Sequence, residues 1–406
     1  MPVDRVLYSQ ASHGDDEIAA VLGVLRSGPQ GLRIGPHVAD MERRVAALFG
    51  KGHGLMCNSG SSAILLAFAL LDLPRGSEVI TSPLTFSTDV SALVHLGLVP
   101  VFVDVEADTF NADVSRLEEV VGDKTRAIFL PNLIGNAPDW DVVRQVADRH
   151  RLVVVEDSCD ALGATLRGTP TGTRSDLSVT SFAMAHIITC AGNGGMVVMD
   201  DEALRDRGLM LRRWGRRSEP HLFGSQAART GHVFREDLDG IPYDNDFIFD
   251  VQPWNLEPSE LGAAFGLVQL DRLAEFTERR QKNFDTYSAF LRQYPDLFVP
   301  PRQLDGLDTA WLCYPFLIAD GAPFDRPDVQ EFLDAANVDT RTVWSGNITR
   351  HPMMQGVDYR VAPGGLPNAD RVMRQGMLLP CSHGLTDDEI AYVCDQLGRF
   401  VDSRTR

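Results

Sequence analysis

Basic charge, lysine and long apolar runs are all scarce in this chain of 406 residues. Aspartate and glutamate outnumber lysine and arginine by 56 to 38, which leaves a formal charge of −18. Without a surplus of cations to neutralise phosphates, general binding to nucleic acid or to anionic membranes is excluded, whereas a small phosphorylated ligand is not. The longest apolar run, residues 63–71, is too short to span a bilayer. No signal peptide is expected, because the first residues lack a basic segment followed by an apolar core.

Cysteine is present but follows no pattern. The six cysteines lie at positions 57, 159, 190, 313, 381 and 394. The absence of any Cys-x-x-Cys pair favours buried, reduced thiols and a cytoplasmic location. Lysine occurs only at positions 51, 124 and 282, so almost all of the 38 basic residues are arginine. Chemistry that needs a lysine amine is therefore restricted to three positions.

Short β-rich segments alternate with helical ones over the first half of the chain. The predicted strands are EVITSPLTF, VPVFVDV, TRAIFLPNL, LVVVEDS and LSVTSF. Helical spacing of apolar residues occurs at 40–50, 139–150 and 202–213. Continuous Val/Ile/Leu strands that alternate with helices predict an α/β fold, with a mostly parallel sheet covered on both faces.

The second half of the chain has a different pattern. A polar stretch at 214–254 with little periodicity predicts a loop at an active site or an interface. A single long helix is predicted over 258–295. The remainder is predicted to form the strand WLCYPFLI and the helices 326–337 and 386–401. We therefore predict two domains, a large one over residues 1–255 and a small C-terminal α+β domain over residues 256–406.

Four polar or aromatic elements stand where predicted strands end. Residues 58–62 (NSGSS) lead into a helix, and their N–H groups and hydroxyls suit either a phosphate cradle or an ordinary helix N-cap. Asp157 ends a buried strand, where α/β folds place their ligands, and it suits either a pyridinium nitrogen or the cap of the next helix. Phe86 suits a stacked planar ring or the core. Ser181 offers a hydroxyl to a phosphate.

Taken together and in order, these motifs resemble the DegT/DnrJ/EryC1/StrS family of sugar aminotransferases, which belongs to fold type I of the pyridoxal-phosphate enzymes. The resemblance runs over nearly the whole chain. It is carried by NSGSS (58–62), TF (85–86), PVFVDVEADTFN (100–111), EDSCDALGA (156–164), SFAMAHIITCAGNGG (181–195), Asn255 with AAFGLVQL (263–270), and LPNADR (366–371).

The resemblance implies a large cofactor-binding domain and a role for individual residues. The implied cofactor-binding residues are Gly60, Ser61, Ser62, Phe86, Asp157, Asp160, Ser181 and Asn255. The serines would bind the cofactor phosphate, Phe86 would stack on its ring, and Asp157 would contact its ring nitrogen. Asn255 resembles an asparagine that reaches the phosphate from the neighbouring subunit, which implies a homodimer. No metal site is implied.

At the family's Schiff-base lysine position, five residues after Ser181, stands His186. This resembles the branch of pyridoxamine-phosphate-dependent 3-dehydratases, which act on nucleotide-linked 4-keto-6-deoxyhexoses. Imidazole forms no stable imine, so the resemblance implies a noncovalent cofactor in its amine form. His186 is then a pure proton-transfer group, for which its ordinary pKa of about 6.5 is suitable. A histidine packed in the core is the alternative.

The implied reaction removes the C3 hydroxyl of a nucleotide sugar. Pyridoxamine phosphate would condense with the C4 ketone, His186 would take a proton from the cofactor, and Asp157 would keep the ring nitrogen protonated while the hydroxyl leaves. Arg341, Arg350 and Asn347 are the expected substrate contacts, since guanidinium groups pair with diphosphates. An ordinary surface ion pair is the alternative for Arg341.

The source of electrons and of the amine is a separate question. Residues 191–312 contain no cysteine, so the Cys-x-Cys ligands of the branch that carries a two-iron cluster are missing, and no iron–sulfur cluster is expected. An amino-acid co-substrate such as glutamate is then expected to regenerate the amine. Two other hypotheses remain: different chemistry on an amine-form cofactor, or a catalytically silent homologue that binds a nucleotide sugar or a protein partner.

Overall fold

The computed structural model describes residues 4–227 and 235–405. Within them the strands are β1 His53–Cys57, β2 Glu78–Thr81, β3 Val99–Phe102, β4 Thr125–Pro131, β5 Val153–Asp157, β6 Thr165–Leu166, β7 Thr169–Pro170, β8 Leu177–Ser181, β9 Gly195–Met199, β10 Arg235–Leu238, β11 Ile241–Asp244, β12 Phe298–Val299, β13 Leu307–Asp308, β14 Tyr314–Ile318, β15 Arg341–Thr342, β16 Arg360–Val361 and β17 Gly376–Leu379. The α-helices are α1 Asp15–Arg26, α2 Pro36–Leu48, α3 Gly60–Leu71, α4 Ser87–His95, α5 Trp140–His150, α6 Glu202–Arg212, α7 Glu219–Phe223, α8 Glu260–Asp271, α9 Leu273–Leu291, α10 Arg326–Ala335, α11 Pro367–Gln375 and α12 Asp387–Thr405.

The largest sheet has eight strands in the order β1-β9-β8-β5-β4-β2-β3-β16. Only β9 runs antiparallel to its neighbours β1 and β8, and the other pairs are parallel. The prediction of an α/β fold with a mostly parallel sheet is therefore confirmed. Because β9 is reversed with respect to both neighbours, β1 points the same way as β5 and β8, and the three strands end at the same edge of the sheet.

Helices cover both faces of this sheet, as the continuous apolar strands require. On one face Phe129 of β4 packs edge to face against Phe68 of α3, with ring centroids 5.0 Å apart. On the other face Ile128 of the same strand belongs to a buried cluster with Trp140 of α5. Successive residues of a strand point to opposite faces, so a run that is apolar at every position is buried on both sides.

A second sheet lies in the C-terminal part and is antiparallel, with the order β12-β14-β17-β15. The domain boundary at residue 255 stays a prediction. Two short strands after that boundary pair with the first part of the chain: β16 extends the large sheet, and β13 pairs with β6. No helix in the described ranges, 4–227 and 235–405, combines the length and the apolar character needed to cross a membrane.

The structure differs from the predicted elements in two places. The single helix predicted over 258–295 is two helices, α8 and α9, with a break at Arg272. The break lets α8 pack on α1 and α2 while α9 packs on α12. The loop predicted over 214–254 contains α7 and the hairpin β10–β11, whose turn is Asp239-Gly240 with positive φ at both residues. Asp-Gly favours such turns, so the sequence contained a signal for this hairpin. Residues 228–234 of the predicted loop lie outside the described residues.

Candidate active site

A cavity of about 320 Å³ lies at the carboxyl ends of β1, β5 and β8. These strands end at Cys57, Asp157 and Ser181, and the side chains of the last two line the cavity. Ligand sites of α/β folds form at this edge because the loops that follow parallel strands meet there. The cavity is therefore the candidate active site.

One end of the cavity is built by the start of α3. Ser59 caps this helix: its Oγ accepts a hydrogen bond from the Ser62 N–H at 3.1 Å, and its hydroxyl donates to Oγ of Ser62 at 3.0 Å. The N–H groups of Gly60 and Ser61 are in the first helical turn and have no acceptor within the helix. Gly60, Ser61 and Ser181 line the cavity. Free N–H groups, the positive end of the helix dipole and a hydroxyl together suit a phosphate group.

Two glycines make this end possible by allowing close approach. A Cβ added at Gly60 would lie 2.6 Å from the Cβ of Ser181. A Cβ added at Gly195, in β9, would lie 2.2 Å from the backbone oxygen of Ser59. Both distances are far shorter than van der Waals contact, so only glycine fits at these two positions. Gly195, in the glycine cluster that ends the stretch 181–195, therefore packs directly against the backbone at the start of α3.

Two buried carboxyl groups lie at another part of the wall. Asp157 is 6% exposed, and its Oδ1 accepts a hydrogen bond from the Cys159 N–H at 2.9 Å. Asp89, in the first turn of α4, is 1% exposed, and its Oδ2 accepts a hydrogen bond from the Thr85 hydroxyl. Burial raises the pKa of both carboxyls, and the charge of Asp157 raises that of Asp89 further. The sequence analysis missed Asp89, because an acid at the start of a helix is typical of an ordinary N-terminal turn.

A third carboxyl group, Asp160, is held by unusual backbone geometry. Its Oδ2 accepts hydrogen bonds from the Ile134 N–H at 2.9 Å and from the Trp344 indole at 3.1 Å. Ile134 has φ of 62° and Trp344 has φ of 35°, in the left-handed region that branched and bulky residues rarely adopt. Such strain concentrates at functional sites. Burial, followed by the charge of Asp157, raises the pKa of Asp160 to about 7.

His186 faces this third carboxyl group. Its Nε2 lies 3.8 Å from Oδ1 of Asp160, its side chain is 19% exposed, and its Nδ1 is buried without a hydrogen-bond partner. Burial, and then the positive charge of Arg280, lowers the pKa of His186 to about 4. The prediction of an ordinary pKa near 6.5 for His186 is therefore wrong, because the folded surroundings of the imidazole disfavour its charged form. At neutral pH the imidazole is uncharged and can accept a proton.

Arg280, in α9, is a residue that the sequence analysis did not single out. It is 1% exposed, and it donates hydrogen bonds to the carbonyl oxygens of Trp311 at 3.1 Å and Leu312 at 2.9 Å. It also reaches the carbonyl oxygen of His186 at 3.5 Å and Nδ1 of His383 at 3.2 Å. These partners are uncharged acceptors, so its positive charge acts on the imidazole without a paired carboxylate in between.

A second cavity, of about 350 Å³, adjoins the first and shares three of its residues, Tyr8, Phe86 and Trp344. Phe86 is 56% exposed and meets the Trp344 ring edge to face, with centroids 6.2 Å apart. Arg341 lines this second cavity, and its guanidinium lies 5.1 Å from the centre of the Tyr8 ring. Aromatic walls and an available guanidinium suit a ligand that extends outward from the first cavity.

Four predicted residues line neither cavity: Ser62, whose N–H bonds to Ser59, and Arg350, Asn347 and Asn255. Arg350 forms a two-pronged ion pair with Asp370, and Asn347 donates to Oδ1 of the same carboxylate at 2.7 Å. Asn255 is exposed, and its Oδ1 accepts a hydrogen bond from the Glu257 N–H at 3.3 Å. Their proposed roles toward the substrate and a neighbouring subunit stay predictions.

None of the three lysines lines the first cavity, and all of them are among the described residues. The Lys51 amine donates to the carbonyl oxygen of Ser175 at 2.7 Å and pairs with Asp200 at 3.0 Å. The amine of Lys282 pairs with Asp387 at 2.7 Å. Lys124 is exposed at the start of β4.

The residues of the first cavity fit a pyridoxal-type cofactor. The donors of α3 and Ser181 match its phosphate, and the buried carboxyl of Asp157 matches its ring nitrogen, which must be protonated to withdraw electrons. His186 is the titratable base on the wall. The fold is that of the type I pyridoxal-phosphate-dependent transferases. A model of the DegT/DnrJ/EryC1/StrS aminotransferase family matches residues 11–398, so the chain belongs to that pyridoxal-phosphate-dependent family.

Relatives within the family include named 3-dehydratases. The chain is 37% identical over 401 residues to a dTDP-4-dehydro-2,6-dideoxy-D-glucose 3-dehydratase of Saccharopolyspora spinosa, with 95% of this chain and 84% of the relative covered. It is 35% identical over 369 residues to the lipopolysaccharide biosynthesis protein RfbH of Salmonella typhimurium, with 88% and 84% covered. Among solved structures, a GDP-4-keto-6-deoxymannose-3-dehydratase with a trapped PLP-glutamate geminal diamine superimposes with a TM-score of 0.87 at 26% identity, with 97% of this chain and 100% of that chain covered.

Proposed function

We propose that this protein is a 3-dehydratase that removes the C3 hydroxyl of a nucleotide-linked 4-keto sugar, with pyridoxamine phosphate bound noncovalently. The observation that carries the proposal is the identity of the base on the cavity wall, which is His186 rather than a lysine. An enzyme that releases its product by exchange with a lysine amine needs that amine at the cofactor. The lysines of this chain pair elsewhere or lie on the surface.

The residues of the cavity have separate roles in binding the cofactor. Gly60, Ser61 and Ser181 hold the phosphate, and Asp157 keeps a proton on the ring nitrogen. Phe86 stacks on the ring, and Asp160 belongs to the same cofactor site. When bound, pyridoxamine phosphate supplies an amine for the sugar ketone and a ring that withdraws electrons.

His186 moves the proton. Its uncharged imidazole takes a proton next to the ring and returns one to the departing hydroxyl. Asp160, at 3.8 Å, has a pKa of about 7, so close to half of the molecules carry a proton on this carboxyl near neutral pH. Burial, and then the positive charge of Arg280, keeps the imidazole uncharged before the reaction.

The second cavity suits the nucleotide part of the substrate. Arg341 offers a guanidinium to the diphosphate, and Tyr8 and Trp344 offer aromatic faces. We infer further that glutamate supplies the amine and that no iron–sulfur cluster is used. The dehydratase with the trapped PLP-glutamate adduct supports the first inference, and the absence of cysteine over 191–312 supports the second.

The proposal is tested by product analysis. Purified protein is incubated with pyridoxamine phosphate and a panel of dTDP- and GDP-linked 4-keto-6-deoxy sugars, and mass spectrometry follows the loss of one oxygen atom from the sugar, since conversion of the cofactor amine to the aldehyde supplies two electrons and releases ammonia. His186→Asn should bind pyridoxamine phosphate as the wild type does, and should lose about 10²-fold or more in rate. Glutamate should be required for repeated turnover.

A second variant separates the alternatives. His186→Lys should form a covalent adduct with pyridoxal phosphate that borohydride traps, whereas the wild type should form none. The dehydratase proposal is wrong if no sugar loses its C3 oxygen, or if His186→Asn keeps the wild-type rate. A protein that binds sugars or partners without catalysis would show no cofactor absorbance at all.

A further inference from the structure

Asp89 is a buried acid on the wall of the first cavity with no role in the reaction described above. Its Oδ2 accepts a hydrogen bond from Thr85, whereas its Oδ1 is buried and has no donor. A buried carboxylate oxygen without a donor costs stability, since nothing replaces the water that it has lost. The free oxygen therefore requires an explanation.

The neighbours of Asp89 provide one. Its carboxyl is within hydrogen-bonding reach of the carboxyl of Asp157. The other titratable groups that face it are Asp160 and the thiol of Cys159, both from the segment that follows β5. Among the ion pairs of the described residues none involves Asp89, so no cation balances this group. Two adjacent acids without a cation cannot both be ionised at low cost.

We propose that Asp89 and Asp157 share a single proton, and that Asp89 is a positioning residue that donates a hydrogen bond from its protonated carboxyl to Asp157. The donor is then Oδ1 of Asp89, the oxygen without a partner, while Thr85 holds the other oxygen in place. Asp157 receives this bond in addition to the one from the Cys159 N–H. The pair carries one negative charge in place of two.

The inference rests on the proposed function for one point, the placement of the cofactor ring nitrogen at Asp157. One negative charge on the pair matches the single positive charge of a protonated ring nitrogen, so the buried assembly is neutral. Two ionised aspartates would leave an uncompensated negative charge in the cavity. The hydrogen bond from Asp89 also fixes the orientation of the Asp157 carboxylate, so that one oxygen faces the ring.

The shared proton is tested first in the protein without cofactor, in an Asp160→Asn background that removes the third carboxyl group. At pH 7.5 infrared spectroscopy should show the C=O stretch of a protonated carboxyl, and Asp89→Asn in that background should remove it. Free aspartate titrates near 4, and a raised pKa means that the folded protein holds the extra proton above that pH. The free energy of unfolding should therefore fall as pH rises from 4, with the slope that corresponds to about one proton. Asp89→Asn should abolish this dependence on pH.

Cofactor affinity tests the positioning role. Asparagine keeps an N–H donor for Asp157 and an oxygen for Thr85, so Asp89→Asn should bind pyridoxamine phosphate within about 3-fold of the wild type. Leucine has the same shape without a donor, so Asp89→Leu should weaken binding by about 10-fold or more, the loss of one hydrogen bond to a charged group. Asp157→Asn should weaken binding at least as much and should change the absorbance of the bound cofactor.

The outcomes are distinguishable. If the infrared band and the pH slope are the same with and without Asp89→Asn, the shared proton does not exist, whatever the enzyme does. If that variant does not fold, Asp89→Leu also removes the protonated carboxyl and provides the same comparison. If the band behaves as expected but pyridoxamine phosphate does not bind the wild type, the carboxyl pair stands and the proposed function fails. Equal affinity of the Asn and Leu variants would reject the positioning role.

Discussion

His186 and Asp160 lie 3.8 Å apart, and the burial that they share moves their pKa values in opposite directions. Burial disfavours the charged form of each, so the base is lowered to about 4 and the acid is raised to about 7. At neutral pH the imidazole is uncharged, and the acid is close to half protonated. Because the pKa of Asp160 lies above that of His186, a proton in this pair stays on the carboxyl rather than on the imidazole.

This perturbation predicts a pH-dependent stability. The unfolded chain protonates His186 near 6.5 whereas the folded protein does so only near 4, so the unfolded state takes up the proton first as pH falls. The free energy of unfolding of the wild type, without cofactor, should fall between pH 6.5 and 4 by about 3 kcal/mol more than that of His186→Asn. Denaturant titrations at several pH values measure the difference.

The exposed His95 provides the control for that experiment. His95→Asn removes a histidine that is not buried, so its stability should follow the wild type over the same pH range. If the His186→Asn and wild-type curves remain parallel from pH 6.5 to 4, the imidazole is not held in its uncharged form.

At the scale of elements, α2 is stabilised by a residue distant in sequence. The helix follows Gly35, which has no side chain to cap it. The carboxylate of Glu260, in α8, accepts hydrogen bonds from the N–H groups of Gly35 at 3.0 Å, His37 at 2.8 Å and Val38 at 3.1 Å. A negative charge there also meets the positive end of the helix dipole. The contact ties α2 to α8.

Removing the Glu260 carboxylate should weaken the contact between α2 and α8. Glu260→Ala should lower the free energy of unfolding by about 2–4 kcal/mol, since three N–H groups at the start of α2 lose a charged acceptor. Glu260→Gln, which keeps one acceptor oxygen, should have a smaller effect. The matched control is Glu278→Ala, which removes an exposed glutamate of α9 and should change stability by less than about 0.5 kcal/mol. Similar losses for Glu260→Ala and Glu278→Ala in urea unfolding would show that the cap contributes nothing.

At the scale of the whole molecule, several exposed side chains indicate that a second subunit completes the site. Phe86 lines the cavity and yet is 56% exposed, and the aromatic residues Phe247 and Phe249 are 54% and 58% exposed. Asn255, which the family resemblance assigns to the phosphate of a neighbouring subunit, is also exposed and lies away from the cavity of its own chain. Exposed apolar surface of this kind is typical of protein interfaces. We propose a homodimer in which Asn255 acts across the interface.

Subunit mixing tests this proposal. Asn255→Ala and His186→Asn should each inactivate the enzyme when expressed alone. Co-expressed with different tags, the two variants should form mixed dimers in which one site carries both defects and the other carries neither. Purified mixed dimers should regain about half of the wild-type activity, because one of their two sites is intact. The control is co-expression of His186→Asn with a second tagged copy of itself, which should stay inactive. No recovery in the mixed dimers would place Asn255 in its own subunit's site or outside it.

The sequence by itself determined the helices and strands, and it identified the candidate functional residues at the strand ends. Continuous apolar strands can only be buried on both faces, so their alternation with helices predicted the sheet. The short-range order of the residues also placed Asp157, Ser181 and the NSGSS segment at strand ends, and all three meet at the cavity. The missing lysine at position 186 was visible without any structure.

Only the tertiary structure decided the chemistry of the individual groups. Arg280 reaches His186 across 94 residues, and Trp344 reaches Asp160 across 184 residues. Asp89 meets Asp157 because both residues line the cavity at the carboxyl end of β5. Burial and neighbouring charge set a pKa, and both depend on which distant segments come together in space. The pattern of residues therefore predicts which groups are present, whereas packing decides which of them carry a proton.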